Sequence, residues 1–439
     1  MKVLKFGGTS VGSVENINNV KNIIDDGQSK IVVLSAMSGT TNALVSIANC
    51  IADGKSNKAL DQINELHTHY FNTLENLLTN ETYKEAAKEY VNSIFNFLVE
   101  STYSNYSTLL ENKIIAQGEL LSTYMFNSFL NQEGIKSTLL SALEFMRIDK
   151  TKEPDFFYIK QHFNTVFNNA NTATIYVTQG FICIDEHGNI SNLQRGGSDY
   201  TATILGAVTK AEEVQIWTDI DGMHNNDPRY VEHTQPIKNL SYDEAAELAY
   251  FGAKILHPQT VTPVRIDNIP VRLKNTMNPL AQGTLITNNN SKSGIKAIAA
   301  KDNITAIKIK SGRMLQAHGF LKKVFEIFEA FETSIDMITT SEVAVSLTID
   351  DDSNLDNIIT ELEKIALIEV DRNQSIICLV GHSIVHHPKT FKLFQVLKDV
   401  NVRMISYGGS NNNISLLVPT SRKKDTLEKL QNYIFKLIA

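Results

Sequence analysis

Cysteine is scarce and scattered: Cys50, Cys183 and Cys378 lie far apart, and none falls in C-x-x-C spacing. An odd, dispersed set argues against a disulfide framework and against a zinc site, and points to a reducing, cytoplasmic setting. No apolar run approaches the roughly 20 residues that span a bilayer. The opening residues, MKVLKFGGTS, turn to glycine without the apolar stretch of a signal peptide. Excess positive charge is also missing. Lys and Arg number 41 against 48 Asp and Glu, a net charge of −7, which argues against a general nucleic-acid binder. No G-x-x-x-x-G-K-[ST] spacing occurs, so P-loop machinery is not implied. The histidine pairs His67/His69 and His386/His387 are too close in spacing for a metal site; they read as surface histidines, and no metal site is expected.

What is present is a chain of 439 residues, 42% apolar, long enough for two or three domains with real cores. Lys2–Phe6 and residues 30–37 are Val/Ile/Leu-rich runs of strand length, and Ile17, Val20, Ile23 and Ile24 recur between them at helical spacing. Residues 174–178, 214–218 and 270–273 read as further strands, with helices over 201–208 and 242–250. This alternation predicts an α/β fold, a mostly parallel sheet with helices on both faces. Residues 55–110 are polar, glycine-poor and helical in character, an excursion without an evident reactive cluster. The polar stretch TNNNSKSG at 287–294 reads as a linker. Beyond it runs a weak repeat of about 70 residues, each pass strand–helix–strand–strand–helix. An offset of 67 sets Met337 on Met404 and Ile338 on Ile405, but Asp336 on Arg403.

Four stretches carry polar groups at strand ends. In Lys5-Phe6-Gly7-Gly8-Thr9-Ser10, adjacent glycines allow close backbone approach, and their N–H groups beside a lysine favour an anion such as phosphate. A plain strand–helix turn is the bland alternative. Ser35-Ala36-Met37-Ser38-Gly39-Thr40-Thr41 stands in the same setting, where ligands bind an open parallel sheet, although helix capping explains its hydroxyls equally well. Arg195-Gly196-Gly197-Ser198-Asp199 places a carboxylate- or phosphate-binding fork before a helix start; capping accounts for Ser198 and Asp199 but not for the arginine and glycines. Thr218-Asp219-Ile220-Asp221-Gly222, followed by Asp227-Pro228-Arg229, presents carboxylates and a turn. Lys254, in FGAKILHP, stays ambiguous on its own.

Taken together, KFGGTS, SAMSGTTN, GELLS (118–122), RGGSDYTA, WTDIDG and FGAKILHP resemble the aspartate kinases of the amino-acid kinase superfamily, in order over nearly the whole chain. The C-terminal repeat resembles their paired ACT units. The resemblance implies an amino-acid kinase domain over 1–286, a linker at 287–294, and a regulatory region over 295–439. That region would hold two ferredoxin-like (βαββαβ-type) ACT units, near 303–372 and 373–439, with 295–302 pairing with the second, and no homoserine dehydrogenase module. The implied activity is transfer of the ATP γ-phosphoryl group to the side-chain carboxylate of L-aspartate, with Mg²⁺ held largely by ATP oxygens. By the same resemblance Lys5 stabilises the transferring phosphoryl group, with Gly7, Gly8 and Ser10 beside it. Ser35, Thr41, Glu119, Arg195 and Ser198 bind aspartate, Arg195 at its α-carboxylate and Glu119 facing its ammonium. Asp199 orients the substrate, and Thr218, Asp219, Arg229 and Lys254 contact nucleotide. His224, in DGMHNNDPR, stands where the family has a nucleotide-contacting tyrosine, a departure that leaves that contact open.

The regulatory half resembles lysine-sensitive members. Met314, Phe320, Leu321, Asp336, Ser341, Glu342 and Val343 match an effector pocket, with Asp336 and Glu342 facing the ammonium groups of bound L-lysine. Because Arg403 replaces the acid in the second unit, only the first is expected to bind effector. A solubilising charge on an edge strand is the alternative for Asp336, and threonine is the alternative effector. The resemblance further implies a homodimer through the ACT units, or a tetramer. A non-catalytic amino-acid sensor on the same fold is the competing reading.

Overall fold

A computed structural model describes the chain except residues 171–172, 194–195, 252–257, 289–292, 313–317, 389 and 436–439. Two compact units emerge: Met1–Met223 with Ile255–Asn288, and His224–Lys254 with Asn289–Ala439.

In the first unit, β1 (Lys2–Phe6), β2 (Lys30–Leu34), β3 (Ser137–Leu140), β4 (Ile175–Gln179) and β7 (Val214–Thr218) join a strand at Val271–Asn275 in the order β3-β4-β2-β1-β7-271–275, all parallel. Thr284–Thr287 adds an antiparallel strand beside 271–275. A small hairpin, β5 (Ile182–Ile184) and β6 (Ile190–Asn192), stands apart. β2 (KIVVL) and β4 (IYVTQ) are buried at every position, the signature of central strands covered on both faces. The chain passes from β1 to β2 on one side and returns at β7 on the other, so the carboxyl end of β1 is a topological switch point, where open α/β sheets bind ligands.

Among the helices that cover this sheet are α1 (Val14–Ile24), α2 (Thr40–Ala52), α5 (Thr108–Gln132), a one-turn α6 (Ala142–Phe145), α7 (Phe156–Asn169) and α8 (Gly197–Thr209). The 55–110 stretch is a helical pair, α3 (Ser56–Leu77) and α4 (Glu81–Ser101). Ile63, Leu66, Tyr70 and Leu74 of α3 and Val91, Phe95 and Leu98 of α4 join one core with Leu44 of α2 and Leu121 of α5. Apolar residues at three- and four-residue intervals form such a stripe on each helix.

In the second unit six strands form one antiparallel sheet, in the order 337–340, 344–349, 294–310, 367–382, 413–419, 404–406. Two strands are unusually long: Gly294–Lys310 and Leu367–His382 run side by side along their whole length. Residues 304–310 pair with 367–374, and residues 294–301 with 376–382, with a register shift between. The first half is a βαββαβ unit; the second has the same set of elements, but its fourth strand, 294–301, comes ahead of the others in the chain. The first carries helices Phe320–Ala330 and Leu355–Glu363; the second carries a short helix at Leu393–Val396 and a long one at Lys423–Phe435.

Two features differ from the sequence reading. The boundary drawn near 372/373 falls within an unbroken strand, and the described residues 224–251, assigned to the kinase domain, group with the regulatory unit. Val231 joins the core of the second half with Ile298, Ile377 and Leu416. A buried valine looks alike from sequence whichever core it enters, so no composition shift marks this segment.

Candidate active site and regulatory acid

The glycine loop follows β1 and is held by its neighbours' backbones. Gly7 N–H donates to Trp217 O (3.2 Å), and Gly8 O accepts from Ser38 N–H (3.1 Å). A Cβ on Gly8 would stand 2.8 Å from Ala36 O, so no side chain fits there. Ser10, buried, shares a 2.7 Å hydrogen bond with Thr276, which follows the 271–275 strand. Lys5 points its ammonium over Gly7, 3.5 Å from where a Cβ would be, and pairs with Asp199 at 2.7 Å. Both side chains are largely screened from water, 12% and 14% exposed. Asp199 lies in the first turn of α8 behind Gly196, whose φ of 68° is left-handed. Gly180, just past β4, lets α8 come this close: a Cβ there would overlap Ser198 at 2.3 Å.

Beside this phosphate-sized cradle lies a second group of residues. Ser35 Oγ donates to Ser198 Oγ (2.9 Å), and Ser122 Oγ donates to Ser35 O (2.9 Å). Glu119, on α5, is 3% exposed; one carboxyl oxygen accepts Ala36 N–H (3.2 Å), and the other is buried with no partner. Burial pushes its pKa up to about 7, against the lowering effect of the amide bond. A buried, half-satisfied carboxyl is costly unless a cation completes it. Thr41 is half-buried in the first turn of α2, Thr218 ends β7 and Asp219 follows it, with Thr218 Oγ1 accepting Ile220 N–H (3.1 Å).

The structure therefore gathers Lys5, Gly7, Gly8, Ser10, Ser35, Glu119, Ser198 and Asp199 through direct contacts. Arg195, Lys254 and Met314 lie outside the described residues. His224 and Arg229 belong to the second unit. His224 Nδ1 shares a 2.9 Å bond with Thr234, and Arg229, its side chain 76% exposed, forks onto Asp227. Sequence reasoning missed Ser122, Gly180, Thr276 and Tyr70. Ser122 sits inside the GELLS motif, which was a usable signal; the others carry none, because their partners are remote in the chain.

In the regulatory unit Asp336 is not a solubilising edge charge. Its side chain is 1% exposed, ion-paired to Lys301 (2.9 Å) and accepting the Tyr250 hydroxyl (2.6 Å), while its second oxygen is buried without a partner. Lys301 also pairs with Asp350 (2.7 Å) and lies over the Tyr250 ring. The repeat inverts this pair: Arg403 meets Asp371 at 2.8 Å, in a more open setting. Glu342 does not join Asp336. Ser341, Glu342 and Val343 form an exposed turn at the far end of strand 337–340, about 16 Å away at 3.3 Å per residue. Phe320 is buried at the start of its helix, and Leu321 is exposed. No group of three or more His, Cys, Asp or Glu fit to hold a metal occurs among the described residues, and no described helix is long and apolar enough to cross a membrane.

The model of the amino acid kinase family matches residues 1–275, and that of an ACT domain matches residues 377–433. The chain is 34% identical to the lysine-sensitive aspartokinase 3 of Escherichia coli over 99% of both sequences. It superposes on the crystal structure of E. coli aspartokinase III with aspartate and ADP, described as the R-state, with a TM-score of 0.85, 32% identity and coverage of 99% of this chain and 100% of that one. Against the same enzyme with lysine and aspartate, described as the T-state, the TM-score is 0.83 at the same identity and coverage.

Proposed function

The chain belongs to the amino acid kinase family, among its aspartokinases, and from that premise we propose that it phosphorylates L-aspartate at the β-carboxylate with ATP. A carboxylate oxygen attacks the γ-phosphorus, the bond from that phosphorus to the bridging oxygen breaks, and ADP leaves with the electron pair. An aspartate carboxylate is already ionised at neutral pH, so no strong base is needed. The obstacle is bringing two anions together, and catalysis rests on positioning and positive charge.

The observation that carries this reading is the adjacency of two unlike subsites. One is a glycine cradle with the Lys5 ammonium above it; the other is the buried, half-satisfied Glu119. Lys5 would turn from Asp199 toward the γ-phosphoryl oxygens, with Gly7, Gly8 and Ser10 around them. Glu119 would take the substrate ammonium. Ser35, Thr41 and Ser198 would line the amino acid, and Asp199 would orient it. Arg195 at the α-carboxylate, and Lys254, Arg229, Thr218, Asp219 and His224 toward the nucleotide, rest on the resemblance. With no acidic cluster among the described residues to cage a metal, Mg²⁺ would arrive with ATP and be held mainly by its phosphate oxygens. An assay of ADP release with L-aspartate, L-glutamate or no acceptor tests the reading. Aspartate-dependent turnover supports it; turnover on glutamate alone, or none, overturns it.

For regulation we propose feedback inhibition by L-lysine through the first ACT unit, a reading supported by the burial and orphan oxygen of Asp336. An effector ammonium would meet the open oxygen, Oδ2, while Lys301 and Tyr250 hold Oδ1. Asp336 and the 341–343 turn, at opposite ends of one strand, cannot both reach one lysine within a chain. Strand 337–340 is at the sheet's edge; antiparallel pairing with a second copy sets residue 336 of one chain opposite residue 341 of the other, which favours a homodimer through this edge. A titration of activity against lysine and threonine tests the effector.

A further inference from the structure

The helical excursion takes no part in the reading above, yet it sends one polar group to the site. Tyr70, on α3, is fully buried, and its hydroxyl lies 2.9 Å from Thr40 Oγ1. Thr40 opens α2 and is itself 1% exposed, with its amide bonded to Met37 O (3.0 Å). α5 meets the same turn from another side. A Cβ on Gly118 would stand 2.8 Å from Ala36 Cβ and 3.2 Å from Thr40 Cγ2, and Glu119 accepts Ala36 N–H. A core ring needs no hydroxyl to fill space, and burying one is unfavourable without a partner. If Tyr70 only packed, phenylalanine would serve.

We propose that Tyr70 is a positioning residue for the amino-acid substrate: its bond to Thr40 fixes the 36–41 turn, so that Ser35, Thr41 and Glu119 keep their spacing around the ligand. The role rests on the aspartate-kinase reading and extends it to the excursion. The bond acts chiefly on the amino-acid subsite. The phosphate cradle touches this turn through Gly8 and Ser38 but has further ties of its own, Ser10–Thr276 and Gly7–Trp217. Its loss should therefore fall on aspartate rather than on ATP.

The test is steady-state kinetics on the full-length protein, wild type, Tyr70→Phe, Thr40→Val and the double variant, varying each substrate, together with thermal unfolding. Tyr70→Phe should raise the KM for aspartate about tenfold, the worth of one buried hydrogen bond. The KM for ATP and kcat should stay within about twofold. Thr40→Val, which removes the Thr40 bond and leaves the Tyr70 hydroxyl beside the Met37 backbone, should raise the KM for aspartate in the same direction, and the double variant should lose no more than Tyr70→Phe. An unchanged KM for aspartate, parallel rises in both KM values, or additive losses overturn the proposal; should Tyr70→Phe fail to fold, Thr40→Val alone decides by the same KM criteria. If the wild type shows no aspartate-dependent ADP release, the functional reading and this inference fall together. If it turns over and the variants keep its aspartate KM, only this inference falls.

Discussion

At the scale of single residues, Glu119 works against the fold that holds it. Its carboxyl is ordinary in the unfolded chain and raised to about 7 by burial in the folded one. The ionised form is thus disfavoured by folding, and the ligand-free protein loses stability as pH rises from near the unfolded pKa through about 7. A substrate ammonium reverses the balance. The KM for aspartate should accordingly fall as pH rises from about 6 to 8, by up to about tenfold per unit below the pKa. Glu119→Gln should flatten that profile, bind aspartate less well, and melt higher than wild type at pH 8 without ligand; a profile unchanged by the substitution would remove Glu119 from the substrate site. Lys5→Ala should lower kcat about 10²–10³-fold, with a smaller effect on the KM for aspartate, read from the same assay. Lys5 was legible in sequence because it stands beside paired glycines at a strand end; Glu119, in the middle of α5, was reached only through the resemblance of the GELLS stretch. Tyr70 was not: it recurs with Ile63, Leu66 and Leu74 at helical spacing, and a hydroxyl that meets a partner 30 residues away looks the same as one in a core.

At the scale of elements, the helix Tyr242–Tyr250 is fastened to the regulatory sheet along one face. Glu244, Glu247 and Tyr250, at three-residue intervals, bond to Lys296, Asn413 and Asp336 respectively. Four residues after Tyr250 stands Lys254, a nucleotide position by resemblance. Under the proposed regulation, an effector bound at Asp336 would disturb its bond to Tyr250, so this helix is expected to sense the effector. Tyr250→Phe should leave uninhibited kcat within about twofold and shift the lysine concentration for half-inhibition. Unaltered inhibition in that variant would exclude the helix from the coupling. Periodicity gave this helix its bounds, and the repeat singled out Asp336. Neither could give Lys301 or Tyr250, since those contacts depend on which strand lies next to which.

At the scale of the whole molecule, the α/β character and the kinase-then-repeat order could be read from alternation, glycine placement and a shift in composition. The interlocking of the repeats could not, because a strand's sequence does not name its partner. Ile298 precedes the entire first ACT unit in the chain yet is buried in the core of the second, with Ile377, Leu379 and Leu416. Ile298→Ala should destabilise that distant half by about 2–4 kcal/mol, seen as faster amide exchange across 376–382 and 413–419 with the kinase strands unaffected. Exchange raised only near residue 298 would contradict the shared core. The same shared strands set a timetable for biosynthesis. Residues 294–301 leave the ribosome about 75 residues ahead of the segment they pair with, a delay of roughly 4–15 s at ordinary elongation rates. Through that interval a newly made, largely apolar ribbon waits without its mate, exposed to chaperones and to neighbouring nascent chains.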